Sequence, residues 1–452
     1  MMSSMMAVGE IILKEEPFCH VLLQSHRGLR CDQCFTLGEN LKKCTGCSDI
    51  FYCNKVCQKR DWTVHKQECK CLKAIQPKKP LDSVRLLLRL VISQNLNLPQ
   101  NNEWSRTLDD LMSHSEDIKK DAERSEQFAQ VAFTLKEYAG SHVSLPDASK
   151  LLNLFGKMVI NSYTICDGEL KDLGVGMYLG GSRLDHSCSP NAVTSFHGVT
   201  LVVRATQDIL DNSPNKVFIS YIDQLAPRKE RQTALKKQYY FDCACSRCSD
   251  EQFDASMTSF CCPKSGCDGV VGINNKKDFG ACQTCGASDF SSDLKQGALA
   301  VLDSCQAALE QADDRKKQDK WKGVFETCKE SIQKAAGVLH AHNVYLVRIL
   351  DLAFDAAINL EKWELAAKYG ARTLQPYCTF YGEMSPHLAV QLFKVGKLQL
   401  YLGDDLKGAL QSLERAQNIF KVTQGEGHEI LNTLELFVGQ CREEMRMKLE
   451  KS

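Results

Sequence analysis

Eight metal-type side chains crowd the stretch from Cys31 to Cys69. They read C-x2-C-x9-C-x2-C-x5-C-x3-C-x7-H-x3-C: Cys31, Cys34, Cys44, Cys47, Cys53, Cys57, His65 and Cys69. Thiolates and a neutral imidazole suit Zn²⁺, and eight ligands make two four-coordinate sites. A segment this short buries little apolar surface, so the metals would stabilise it. His65 and Cys69 are four apart and face one ion if they lie on a helix. Spacing leaves two pairings open. The sequential one groups Cys31, Cys34, Cys44 and Cys47, then Cys53, Cys57, His65 and Cys69. The interleaved one groups Cys31, Cys34, Cys53 and Cys57, then Cys44, Cys47, His65 and Cys69.

The other thiols bear on compartment. The chain has 452 residues and 23 cysteines. Its N-terminus, MMSSMMAVGEIILKEE, has no basic region ahead of an apolar core, so it does not read as a secretory signal. The thiols are therefore read as zinc ligands and reduced core residues, which implies cytoplasm and nucleus. No apolar run is long enough to cross a membrane as a helix. Net charge is zero, but residues 31–90 hold 12 Lys/Arg against 6 Asp/Glu. That surplus suits either weak nucleic-acid contact or a plain solvated face.

Texture changes along the chain. Residues 83–94, SVRLLLRLVISQ, read as a buried helix, and charge-rich helical sequence continues to about 157. The β-branched runs TLVVRATQDI and VFISYID suggest strands between 157 and 249. From about 292 onward the pattern is helix after helix. Trp321-Lys-Gly-Val324, Trp363-Glu-Leu-Ala366 and Leu406-Lys-Gly-Ala409 recur in it, like the first helix of a tetratricopeptide-type hairpin, at a period longer than the usual ~34 residues.

The densest polar cluster is Arg183-Leu-Asp185-His186-Ser-Cys188-Ser-Pro190-Asn191. A Cys–His nucleophile pair is disfavoured there, because neighbouring side chains diverge in an extended segment. Cys188 groups better with Cys243, Cys245 and Cys248 as a four-cysteine zinc site joining two distant segments. Cys262, Cys267, Cys282 and Cys285 resemble a zinc ribbon, with Cys261 as an alternative to Cys262.

Several of these phrases resemble known modules. Cys31–Cys69, with Tyr52-Cys53 and Trp62-x2-His65, resembles a MYND finger. Leu-Asp185-His186-Ser-Cys188-Ser-Pro190-Asn191 resembles the SET signature N-H-S-C-x-P-N. Val217-Phe-Ile-Ser-Tyr221-Ile-Asp223 resembles the strand carrying the catalytic tyrosine, and Gln238-Tyr239-Tyr240-Phe241-x-Cys243-x-Cys245-x2-Cys248 the post-SET element. Together they resemble the SMYD family of protein lysine methyltransferases. Glu68-Cys-Lys-Cys-Leu, Asn161-Ser-Tyr-Thr-Ile-Cys166, Gly174-Val-Gly176 and Lys394-Val-Gly-Lys-Leu-Gln-Leu400 look most like its third member.

The resemblance implies an α+β chain: a SET-type β-fold with an inserted MYND finger, a post-SET zinc element and an all-α tetratricopeptide-like C-terminal domain. Its expected divisions are 1–30 (first part of the SET domain), 31–69 (MYND finger) and 70–156 (helical insertion). They continue with 157–225 (SET core), 226–250 (post-SET), 255–290 (ribbon-like insertion) and 291–452 (helical repeats). It implies the interleaved zinc pairing. It also implies methyl transfer from S-adenosyl-L-methionine to histone or non-histone lysines. Tyr221 would be catalytic, Tyr239 would line the lysine channel, and Asn161, Asp185, His186, Tyr221 and Phe241 would contact the cofactor. Three zinc ions are expected, and a fourth if the ribbon binds metal. Partners would be protein substrates and peptides bound by the finger and the helical domain.

Two departures keep a second function class in view. In the family a Gly-x-Gly strand precedes the segment that begins here at Val8, and Met1–Ala7 has no glycine, so 1–30 reads as abbreviated. Asp185 stands where the signature has Asn, and a carboxylate accepts hydrogen bonds but donates none. The alternative is a weakly active or inactive MYND and helical-repeat adaptor in transcriptional regulation. Cofactor binding discriminates the two.

Overall fold

In the computed structural model, residues 5–100, 102–211, 213–273 and 277–451 are described. The others, including the start of the 1–30 segment and the middle of the 255–290 insertion, lie outside the described residues. The chain forms two compact units and passes between them repeatedly. One holds the residues up to Asp185, with Asn191–Ile219 and Gln238–Tyr240. The other holds His186–Pro190, Ser220–Lys237 and Phe241 onward.

The first unit contains two three-stranded antiparallel sheets. In one, Thr200–Ala205 lies between Ile11–Glu15 and Ala192–His197. Its β-branched run is central and buried on both faces, as Leu201, Val202 and Val203 show. In the other, Asp172–Met177 lies between Cys19–Leu22 and Ser162–Cys166. Glycine at 174 lets the cysteine-rich segment sit on this sheet. A Cβ there would lie 2.3 Å from Phe35 Cε2 and 2.5 Å from the Val21 carbonyl oxygen.

The run at 217–223 departs from its strand-like composition, since only Phe218–Ile219 is a strand. Asn191 supplies the neighbouring backbone with side-chain partners. Its Oδ1 accepts from the Phe218 N–H at 2.7 Å, and its Nδ2 donates to the Lys216 carbonyl at 2.8 Å. Both groups are thereby satisfied without a longer ladder.

An ionic network lies inside this unit. Asn54 caps helix Lys55–Ala74, accepting from the Cys57 N–H at 2.9 Å. Asp61, His65 and Glu68 share one face of that helix. Helix Asp82–Asn95 is buried from Val84 to Ser93, including Arg85 and Arg89, one turn apart. Glu68 accepts from Arg85 Nε at 2.6 Å and Arg89 Nη1 at 2.7 Å. Arg89 also donates to Asp61, and Arg85 reaches Asp32 at 3.3 Å. Tyr52 donates to Asp61 at 2.6 Å. Burial pushes the Glu68 carboxyl up, but the two guanidinium groups outweigh it and hold the group well below its ordinary range. Arg85 and Arg89 are therefore interior charges and add nothing to a basic surface over 31–90.

The second unit includes seven consecutive helices: Ser292–Lys317, Trp321–Ala335, Val344–Asn359, Trp363–Tyr381, Pro386–Leu402, Leu406–Thr423 and Glu429–Lys451. Sequence neighbours pack on one another. Trp321, Trp363 and Leu406 each open a helix, and Val324, Ala366 and Ala409, one turn on, are fully buried. Each of these helices follows a three-residue turn from the helix before it. Among the described residues no helix is long and apolar enough to cross a membrane.

Removing one member of a buried ion network leaves the others uncompensated, which costs about 3–5 kcal/mol. Glu68→Ala is expected to lose that much in urea unfolding; a loss under about 1 kcal/mol would contradict the role given to this network.

Candidate active site and metal centres

Among the described residues, four groups of ligand atoms converge. They are Cys31, Cys34, Cys53 and Cys57; Cys44, Cys47, His65 and Cys69; Cys188, Cys243, Cys245 and Cys248; and Cys262, Cys267, Cys282 and Cys285. Within each, all ligand atoms lie within 4.8 Å of one another. Of the two pairings that spacing allows in the finger, the atoms converge in the interleaved one. Strands Lys42–Lys43 and Phe51–Tyr52 pair antiparallel and reverse the chain between the ligand pairs.

The sulfur spacings fit zinc. A tetrahedron with Zn–S bonds of about 2.3 Å has S···S edges of roughly 3.8 Å. The structure gives 3.7 Å for Cys34–Cys53, 3.8 Å for Cys44–Cys69 and 3.6 Å for Cys188–Cys248. A disulfide needs about 2.04 Å. His65 turns Nε2 toward Cys47 Sγ at 3.6 Å, and its Nδ1 meets Glu68 Oε2 at 3.1 Å. A carboxylate on the far nitrogen is how a ligating imidazole is oriented. The ionic network is thus continuous with the second metal group.

The third group organises the candidate active site. Cys188 comes from the short segment His186–Pro190, and its three partners from 243–248. Cys243 and Cys245 flank Ala244, and Cys248 lies on the short helix Ser246–Ser249. Four thiolates around one Zn²⁺ leave a double negative charge. Arg231, fully buried, has Nη2 at 3.7 Å from Cys248 Sγ. Arg247 donates to the carbonyls of Cys188 at 3.1 Å, Gln224 at 2.8 Å and Phe380 at 2.8 Å. Its guanidinium lies 4.7 Å from the Phe253 ring centroid. These arginines balance the charge and tie the cluster to the loop after Tyr221 and to helix Trp363–Tyr381.

His186 lies between the cluster and two aromatic rings. Its Nδ1 accepts from the Tyr221 backbone N–H at 3.0 Å. Nδ1 therefore carries no proton, the ring is neutral, and its hydrogen sits on Nε2. Nε2 is 3.3 Å from Cys188 Sγ, where a thiolate would accept it. Burial, aided by the charge of Arg231, brings His186 down to about 4. The ring centroid is 5.3 Å from that of Tyr221 and 6.0 Å from that of Phe241. The three residues thus form one half-buried aromatic patch. Two residues beyond Tyr221, Asp223 accepts from the Tyr381 hydroxyl at 2.6 Å.

The other three candidate positions belong to the first unit. Asn161 ends helix Ala148–Asn161, and its Nδ2 donates to the carbonyls of Met112 at 3.0 Å and Lys157 at 2.8 Å. Asp185 is exposed. Tyr239 is half-buried, and burial pushes its hydroxyl up, so it stays a neutral phenol.

Glu68, Arg231 and Arg247 are not singled out by spacing. A signal exists for two of them. Glu68 and Arg247 are each next to a ligand, Cys69 and Cys248. Cys261 does not join the ribbon group; its sulfur points to the Leu339 carbonyl at 3.4 Å.

The chain is similar to known proteins over nearly its whole length. The family model described as the MYND finger matches residues 31–69. The chain is 33% identical to histone-lysine N-methyltransferase SMYD3 of Homo sapiens, over 97% of this chain and 94% of that one. It is 30% identical to N-lysine methyltransferase SMYD2-B of Danio rerio, over 97% and 93%. With N-lysine methyltransferase SMYD2 of Homo sapiens the identity is 28%, over 94% and 92%. Similarity that runs through the finger, the thiolate cluster of Cys188 and the helical region alike shows that the chain belongs to the SMYD family.

Proposed function

We propose that this protein methylates lysine side chains of protein substrates, taking the methyl group from S-adenosyl-L-methionine. The observation that carries this reading is the patch of His186, Tyr221 and Phe241 fixed against the cluster of Cys188. Its chemistry suits the cofactor. A neutral imidazole does not repel a sulfonium, and the aromatic faces attract one. His186, Tyr221 and Phe241 would hold the cofactor, and motif resemblance adds Asn161 and Asp185. Asp185, with an acceptor-only carboxylate, would favour the cofactor's amino group. When bound, the cofactor supplies a methyl already activated on sulfur.

The work left to the protein is to present a neutral amine. A lysine with a pKa near 10.4 is protonated at pH 7, and deprotonating it costs about 3.4 units, or roughly 4.6 kcal/mol. Withdrawing the amine from water lowers that cost by disfavouring the ammonium form. Tyr221 is the residue assigned to orient the amine through its hydroxyl, and Tyr239 to line its approach. Exposed protein lysines, on histones or other proteins, are the substrate class, and the finger and helical region would bind substrate or partner segments.

Tyr221→Phe tests the reading cleanly. The contact to His186 comes from the Tyr221 backbone N–H and ring, so the substitution keeps it. Methyl transfer from tritiated cofactor to core histones or a lysine-rich protein is expected to fall about 100-fold or more in kcat. Cofactor affinity by calorimetry is expected to stay unchanged. Equal transfer in the variant would reject Tyr221 as the catalytic residue, and no cofactor binding by the unaltered chain would favour the adaptor reading. His186→Ala is expected to act on the other term, weakening cofactor binding about tenfold, or roughly 1.4 kcal/mol.

A further inference from the structure

The fourth group lies outside both the finger and the post-SET cluster, and methyl transfer gives it no role. Its sulfurs are spaced like those of the other three. Cys262–Cys285 and Cys267–Cys282 are each 3.7 Å apart, against the roughly 3.8 Å of a zinc–thiolate tetrahedron. The backbone is turned to serve thiolates. The Gly269 N–H donates to Cys267 Sγ at 3.4 Å. A Cβ on Gly269 would sit 2.4 Å from Cys282 Sγ, so the chain passes as close to the sulfurs as glycine permits. Gly286, with φ of +70°, turns the chain immediately after the last ligand.

Little else would hold this segment. Strands Phe260–Cys261 and Val270–Val271 are two residues each. The apolar filling is slight: Phe260, Val271 and Ile273 are buried, with Phe279 stacked on Phe260 at 5.0 Å. So few side chains do not stabilise an independent element. The outer edge of Phe260–Cys261 is nonetheless ordered against the turn before helix Val344–Asn359. The Cys261 N–H donates to the Val338 carbonyl at 2.9 Å. The Ser259 carbonyl accepts from the His340 N–H at 3.2 Å and from Asn343 Nδ2 at 3.1 Å. Asn343 and Ser259 are fully buried, and Asn343 Oδ1 also caps the helix by accepting from the Tyr345 N–H at 3.1 Å. On the same helix, Tyr345 and Arg348 hold Glu230 at 2.6 Å and 3.1 Å.

We propose that Cys262, Cys267, Cys282 and Cys285 bind a fourth, structural zinc ion, which holds the chain around these four cysteines together and through Ser259 and Cys261 anchors the start of helix Val344–Asn359. An all-thiolate tetrahedron selects a soft cation and leaves no open coordination position, so the ion orders the fold and takes no part in methyl transfer. The four thiols release their protons as the metal binds.

Native mass spectrometry of the full chain expressed with zinc is expected to show four zinc ions. Three would overturn the proposal, as would a mass matching another metal at the fourth site. Differential alkylation of the unaltered chain gives an answer independent of variant folding. Cys262, Cys267, Cys282 and Cys285 are expected to resist iodoacetamide until a chelator is added. Modification at the rate of Cys378, a half-buried thiol outside all four groups, would refute the site. In Cys282→Ser/Cys285→Ser the count is expected to fall to three and amide exchange to quicken at 338–345 but not at 31–69. Unchanged exchange at 338–345 would refute the anchoring.

Discussion

Convergence of Cys188 with Cys243, Cys245 and Cys248 is the constraint on which the candidate active site depends. The segment His186–Pro190 is too short to hold itself in place by burial. A zinc ion held jointly by Cys188 and the three thiolates of the later segment would fix it, with His186 carried along. Because the Tyr221 N–H occupies Nδ1, the remaining ring proton faces Cys188. The cluster thus sets the position of the imidazole, and the Tyr221 N–H sets its tautomer and charge. Arg231 and Arg247 make the cluster tolerable in the interior by offsetting its negative charge, and Arg247 extends its reach to Gln224 and Phe380.

The finger solves a similar problem differently. His65 is oriented by Glu68, and Glu68 is held by Arg85 and Arg89. Buried charges stabilise a fold only when each is paired and hydrogen-bonded. Here the pairing carboxylates come from the cysteine-rich segment and the guanidinium groups from the helix that follows. The metal ligands and the helical part of the first unit are thus joined by charge as well as packing. In both places zinc acts through its neighbours.

Much of this is legible in the sequence, for physical reasons. Local ligand spacing names the two quartets of the finger and the ribbon group as candidates, and residue type adds Cys188 to the distant Cys243, Cys245 and Cys248. Spacing does not separate the two pairings in the finger, because the choice depends on the hairpin of Lys42–Lys43 with Phe51–Tyr52, which two-residue strands do not announce. Arg85 and Arg89 stand out as charges inside an apolar helix, but their partners sit on another element and no local pattern names them. The β-branched run at 217–223 overstates its strand, since Asn191 satisfies the neighbouring backbone by side chain. The recurrence at Trp321, Trp363 and Leu406 marks helix starts, because a large apolar residue followed one turn on by a small one suits a packed helix entry. The roles of Asn161, Asp185 and Tyr239 rest on motif resemblance, and the geometry adds that the amide nitrogen of Asn161 is already engaged by backbone carbonyls.

The claim that the cluster of Cys188 presents His186 and Tyr221 to the cofactor is tested most directly by titration calorimetry with S-adenosyl-L-methionine. The comparison is between the unaltered chain and Cys245→Ser, which alters the one half-buried ligand of that cluster. With the overall fold checked by circular dichroism, the account predicts one site on the unaltered chain and affinity at least about tenfold weaker in the variant. Equal affinity with the third zinc lost would contradict it.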